Sequence, residues 1–189
     1  MNATTPINGV VLLGGAHGAL AVARSFGRRG IPVVLVTDDH PLPGFSRYVR
    51  RHFDWPGAGA DEAAGWLLQF AEREKCRDWL LIPCGDGELR LIGSNLELLH
   101  QSYRILCSPW DTLRRVCDKQ LLAQTAAAAG IAIPRAYRAR SETEVAGLAI
   151  HFPVVLKPAM RLERNAFTQA KAWRANTRDE LLAHYCAAA

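Results

Sequence analysis

The chain has 189 residues, of which 49% are hydrophobic and 22% charged, with a net charge of +5. That composition supports a buried core and fits one medium domain, or a domain plus part of another. No apolar run reaches the roughly 18 residues that suggest a helical membrane span, and Val10–Leu13 is too short for a signal-peptide core and has no Lys or Arg before it.

Strand and helix patterns alternate over the first part of the chain. Gly9–Leu13 is an apolar run ending in Gly14-Gly15, and Ala19–Arg29 has a helical composition with Gly30 as its stop. Pro32–Thr37 is a second β-rich run closed by Asp38-Asp39, and 46–53 holds a short third strand. Asp61–Lys75 carries Ala64, Leu67, Leu68 and Ala71 at helical spacing. Trp79–Ile82 reads as a buried strand. Gly87–His100 reads as a helix with Leu89, Ile92, Leu96 and Leu99 on one face, and Tyr103–Cys107 as a fifth strand. This alternation predicts an α/β fold: an open parallel Rossmann-like sheet with helices on both faces and strand order 3-2-1-4-5. Functional groups of such sheets gather at the carboxyl ends of the strands, which here carry Gly14, Gly15, His17, Asp38, Asp39, Cys84, Gly85 and Asp86.

The pattern changes after Ser108. Trp110–Gly130 reads as one or two Ala- and Leu-rich helices, with Asp118 as a cap for the second. Beyond Pro134 comes a smaller unit with strands at Val154–Lys157 and Ala170–Ala175. Its helices are announced by Ser141-x-x-Glu144 and Thr177-x-x-Glu180, two capping boxes. The expected division is 1–109 Rossmann-like domain, 110–134 helical connector and 135–189 partial lid subdomain.

The positive charge is local. From Arg135 to Arg178 there are nine Lys/Arg against three Asp/Glu. No arginine run is interleaved with aromatics there, which favours a small polyphosphate ligand over nucleic acid. The five cysteines form no C-x-x-C pair and are odd in number, as expected of reduced thiols in a cytoplasmic protein. The six histidines show no metal-ligand spacing.

Two glycine-bearing turns are candidate ligand loops. Gly14-Gly15-Ala16-His17-Gly18 lies between a strand and a helix, where free N–H groups attract anions. Asp38 stands 20 residues beyond Gly18, where dinucleotide folds place a ribose-binding acid. Leu13 occupies the first glycine position of that fingerprint, so the NAD(P) reading stays an alternative beside a substrate-facing loop and a purely structural turn. In Cys84-Gly85-Asp86-Gly87-Glu88 the acids serve either a substrate or the start of the helix.

A third set is more informative. Asp118-Lys119 opens one helix, Gly130-Ile131-Ala132-Ile133-Pro134 ends it, and Phe152-Pro153-Val154-Val155-Leu156-Lys157-Pro158 follows. A lysine closing an apolar strand is costly unless it meets an anion or water. Triphosphate needs several point charges, and lysine is a common donor.

The ordered set D-K, G-I-x-x-P, F-P-V-V-x-K-P resembles the ATP-grasp superfamily, of the carboxylate–amine ligase and carbamoyl phosphate synthetase type. The resemblance covers nearly the whole chain. It implies that Lys119 and Lys157 touch the phosphates of ATP, with Lys171 as a third contact. In the family, the loop after the second lysine is usually glycine-rich and folds over the phosphates. Here 159–169 has no glycine, so Arg161, Arg164 and Lys171 are expected to supply charge in place of backbone N–H groups.

The resemblance also implies a small-molecule carboxylate substrate, activated as an acyl phosphate and attacked by an amine or another nucleophile. Gly14, Gly15, His17 and Asp86 are the substrate candidates. Mg²⁺ and its acidic ligands are expected in a C-terminal part beyond residue 189, so the chain alone is expected to bind ATP without ligase turnover. An unpaired lid edge is expected to favour disorder or a homodimer near 135–189. A non-catalytic remnant or interaction module is the remaining alternative.

Overall fold

The computed structural model describes residues 6–15, 17–38, 41–160 and 165–188. It divides into two compact units, Met1–Arg114 and Arg115–Ala189.

The first unit is built on five parallel strands: β1 (Val10–Leu13), β2 (Val33–Val36), β3 (Val49–Phe53), β4 (Trp79–Pro83) and β5 (Tyr103–Arg104). Their order is β3-β2-β1-β4-β5, the order expected from the sequence. β1 is the centre, pairing Val11 with Val34 on one side and with Leu81 on the other. All four residues of β1 and of β2 are buried, as strands covered on both faces must be.

Alternate residues feed two cores. Val10, Leu12, Val33, Leu35 and Leu80 pack with Ala19 and Ala23 of α1 (His17–Gly27). Val11, Leu13, Val34, Val36 and Leu81 pack with Leu67 and Phe70 of α2 (Ala63–Arg73), Ile92 of α3 (Asp86–Ser94) and Leu99 of α4 (Leu96–Leu99). At about 25 cal/mol per Å² of buried apolar surface, these two layers dominate the stability of the unit. The buried Tyr103 hydroxyl donates to the Leu67 carbonyl at 2.7 Å, so its polar end is satisfied.

Several elements depart from expectation. The helix expected over 87–100 breaks at Asn95, whose side-chain amide donates back to the Leu91 carbonyl at 2.8 Å. β5 ends at Arg104 rather than Cys107, since only Tyr103 and Arg104 pair with β4; Leu106 beyond it is 87% exposed. A 3-10 turn at Leu42–Phe45 precedes β3, which begins at Val49.

The second unit holds α6 (Lys119–Ala128), α7 (Glu142–Gly147), β6 (Val154–Leu156), α8 (Ala166–Ala170), β7 (Trp173–Ala175) and α9 (Arg178–Ala188). α5 (Trp110–Cys117) lies across the division between the units. β6 and β7 form an antiparallel pair. Its inner face joins Val145, Ala175 and Leu181 in a small core. Of the two expected capping boxes, the half in which the cap side chain accepts forms in each, and the reciprocal bond to the cap's own N–H does not. The Ser141 and Thr177 hydroxyls accept from the Glu144 and Glu180 N–H groups. Each glutamate reaches back one residue beyond the cap, to the N–H of Arg140 at 2.8 Å and of Asn176 at 2.7 Å. The Arg178 guanidinium gathers the carbonyls of Val145, Ala146 and Leu148, closing the end of α7. Among the described residues no helix is long and apolar enough to cross a membrane.

Candidate functional site

In the first unit the carboxyl end of the sheet carries the glycine turn. Gly14 has φ +82° and its N–H donates to the Val36 carbonyl at 2.8 Å. The turn therefore continues the β1–β2 ladder and then reverses into α1, a conformation that favours glycine. Gly15 is buried beside it, whereas His17, the first residue of α1, is exposed. Ala16 lies outside the described residues.

Across the same end, Cys84 N–H donates to the Leu13 carbonyl at 2.8 Å, joining the β4 exit to β1. Asp86 opens α3 and is half-buried. It borders a cavity of about 320 Å³, with Gly18 and Val22 of α1, the Pro83–Gly85 turn and Leu89 of α3 as the rest of its wall. Of the expected substrate residues, only Asp86 faces this cavity; Gly14, Gly15 and His17 do not line it. Val22, Pro83 and Leu89 are not among the residues expected there. The periodicity that marks Leu89 as a core residue says nothing of a cavity beside it. Burial, with the Glu88 charge adding to it, pushes the Cys84 thiol up to about 12, so it stays protonated at neutral pH.

Asp38 has another partner. Its carboxylate accepts from the Trp55 indole at 3.3 Å and closes against Gly57. An acid at the end of β2 is explained here by an internal hydrogen bond. Asp39 lies outside the described residues.

In the second unit Asp118 caps α6, accepting from the N–H groups of Gln120 at 2.8 Å and Leu121 at 3.2 Å, as its place before an Ala-rich helix implies. Lys119, the first helical residue, is half-buried. Its backbone N–H donates to the Ala159 carbonyl at 3.1 Å, and its ammonium lies 3.4 Å from the same oxygen. Ala159 is two residues beyond Lys157, which is exposed just past β6. The start of α6 and the segment after β6 thus meet, although about 40 residues separate them.

Lys171 is not on a strand. It ends α8 with φ +67°, its N–H donating to the Phe167 carbonyl at 3.1 Å, and β7 begins only at Trp173. The glycine-free segment folds in part into α8, held by a capping box between Asn165 and Thr168. Phe167 is buried against Trp173, with ring centroids 4.6 Å apart. Arg161 and Arg164 lie outside the described residues.

No family model matches the sequence, and no curated protein matches it. Solved structures do. An L-amino acid ligase from Bacillus licheniformis superposes with a TM-score of 0.67 at 18% identity, over 95% of this chain and 42% of that one. The biotin carboxylase domain of the Hydrogenobacter thermophilus 2-oxoglutarate carboxylase, solved as a dimer with MgADP, ADP and bicarbonate, gives 0.58 at 15% identity, over 97% and 41%. A carboxyaminoimidazole ribonucleotide synthase from Aspergillus clavatus, complexed with ATP, gives 0.58 at 21%, over 92% and 42%. The chain spans about two-fifths of the length of each. It shares its fold with about two-fifths of each of these enzymes, and that fold is a five-stranded parallel sheet with helices, followed along the chain by a smaller α+β unit.

Proposed function

We propose that residues 1–189 supply the substrate-facing and phosphate-binding part of an ATP-dependent ligase acting on a small carboxylate. One observation carries this reading: Lys119 bonds through its N–H and its ammonium to Ala159, just past Lys157. The D-K and F-P-V-V-x-K-P motifs are thereby joined within a fold that ATP-grasp enzymes share.

Lys119 and Lys157 hold phosphate oxygens as point charges. Lys171, exposed at the end of α8, adds a third charge from the segment that follows. ATP supplies the phosphoryl group that converts the carboxylate to an acyl phosphate. Of the substrate candidates, Asp86 and the exposed His17 face the substrate from the sheet end, and the buried Gly14 and Gly15 shape the turn before His17. Among the described residues no group of three or more His, Cys, Asp or Glu gathers to hold a metal ion, and no Mg²⁺ ligand is assigned to this chain. Self-association belongs to the same reading, since the biotin carboxylase domain is a dimer.

Calorimetric titration of the chain with ATP tests the proposal. Lys119→Ala and Lys157→Ala should each weaken binding by roughly 1.5–3 kcal/mol, the range for a hydrogen bond to a charged group, with unchanged far-ultraviolet circular dichroism. A folded wild-type chain that does not bind ATP refutes it. NAD binding that disappears in Asp38→Ala would favour the dinucleotide reading.

A further inference from the structure

A second group of arginines lies in the first unit. Residues 17–37 and 41–53 contain Arg24, Arg28, Arg29, Arg47, Arg50 and Arg51 and no Asp or Glu. All six are exposed, and among the described residues only Arg51 has a carboxylate partner, Glu74. Two of them converge. The Arg47 guanidinium donates to the Tyr48 hydroxyl at 3.1 Å, and that of Arg28 bonds the same oxygen. Tyr48 in turn sits on the end of α1, so close that a side chain on Gly27 would collide with it. Two like charges are thus gathered at one neutral oxygen with no carboxylate to offset them, an arrangement that attracts anions.

An apolar pair stands beside them. The 3-10 turn Leu42–Phe45 buries Pro43 and leaves Leu42 51% and Phe45 85% exposed. Residues three apart in such a turn eclipse each other, so these two side chains project from one face. Arg47 follows Phe45 by two residues. Large exposed apolar side chains beside unpaired arginines match an anionic bilayer, whose surface attracts basic residues and whose acyl boundary takes up apolar ones. A protein partner fits less well, because two apolar side chains fall short of the roughly 800 Å² a side that a stable interface buries. A nucleic acid would stack on Phe45 and Tyr48 but leave Leu42 idle.

We propose that this face docks onto an anionic phospholipid surface. Leu42 and Phe45 enter the headgroup boundary, and Arg28, Arg29 and Arg47 meet the lipid phosphates.

Sedimentation of the chain with sucrose-loaded vesicles tests this, comparing phosphatidylcholine alone with phosphatidylcholine containing phosphatidylserine. The chain should pellet with the phosphatidylserine vesicles, half-bound at roughly 1 mM lipid, and not with phosphatidylcholine alone. Binding should be lost in about 1 M salt, where the Debye length is about 3 Å. Arg28→Gln and Arg47→Gln should each weaken it about fivefold. Leu42→Ser combined with Phe45→Ser should weaken it at least as much, with unchanged circular dichroism in every variant. Arg135→Gln combined with Arg140→Gln removes two charges from the second unit and should leave binding as it was. Equal pelleting with both vesicle types, no pelleting at low salt, undiminished binding in any of the first-unit variants, or an equal loss in the Arg135→Gln, Arg140→Gln chain would each overturn the proposal. Binding of a single-stranded oligonucleotide in place of vesicles would overturn it in favour of nucleic acid.

Discussion

Gly14 occupies a backbone conformation that a side chain would strain, and the space its Cβ would need is filled by Glu88, 2.8 Å away. Gly14→Ala should therefore cost roughly 1–3 kcal/mol, the range for a residue forced into a sparsely populated region, read as a lower urea midpoint at unchanged slope. Gly18, with ordinary φ and nothing within 4 Å of where a Cβ would stand, is the control, and its alanine variant should lose nothing. Equal stability of Gly14→Ala and wild type would remove the claim. The turn is legible in the sequence because two glycines follow an apolar run and precede a helix. Asp38 is legible only as an acid at a strand end. Its partner Trp55 lies 17 residues on, and the direction of that indole is set by packing with Trp66 at 6.1 Å. Lys171 departs from its expected strand for a similar reason. Alternation from Ala170 to Ala175 resembles a strand, but the left-handed turn at Lys171 leaves no periodic signal.

Among the elements, helix starts are the most legible, because capping is a local contact between residues three apart. Glu180 shows what that contact does. The N–H of Asn176 and then its side-chain amide hold the Glu180 carboxyl below the usual carboxylate range. A depressed carboxylate favours folding above its unfolded pKa and loses that contribution as pH falls through the folded value. The start of α9 should hence loosen under acid. The Asn176 and Glu180 amides should exchange faster below about pH 4 relative to the α9 interior, after correction for intrinsic rates. In Glu180→Gln this extra acid sensitivity should vanish; its persistence would assign the effect elsewhere. α8 is not legible. It spans five residues, and its box uses Asn165 and Thr168 rather than the usual glutamate. Within a stretch expected to fold over phosphates, the buried Phe167 is what gives it a fixed place.

For the whole molecule, right-handed crossovers leave only a handful of strand orders, and the expected 3-2-1-4-5 is the one found. The size of the cores does not follow from sequence. The first unit buries two layers against its sheet, whereas the second is organised around Val145, Ala175 and Leu181. Hydrogen exchange should follow that difference: amides of Val11, Leu12 and Leu35 should exchange at least about a hundredfold more slowly than those of Val155 and Arg174. Equal protection would mean that the two units open together. The bond from Lys119 to Ala159 adds a thermodynamic consequence. It closes a span of 40 residues, so this contact can form only after β6 has found its place, at a loop entropy that grows slowly with length. Any ligand that grips Lys119 and Lys157 together strengthens the same closure. Mass action then makes that ligand a stabiliser of the smaller unit in particular, and occupancy would be visible as a raised melting temperature there before any chemistry is measured.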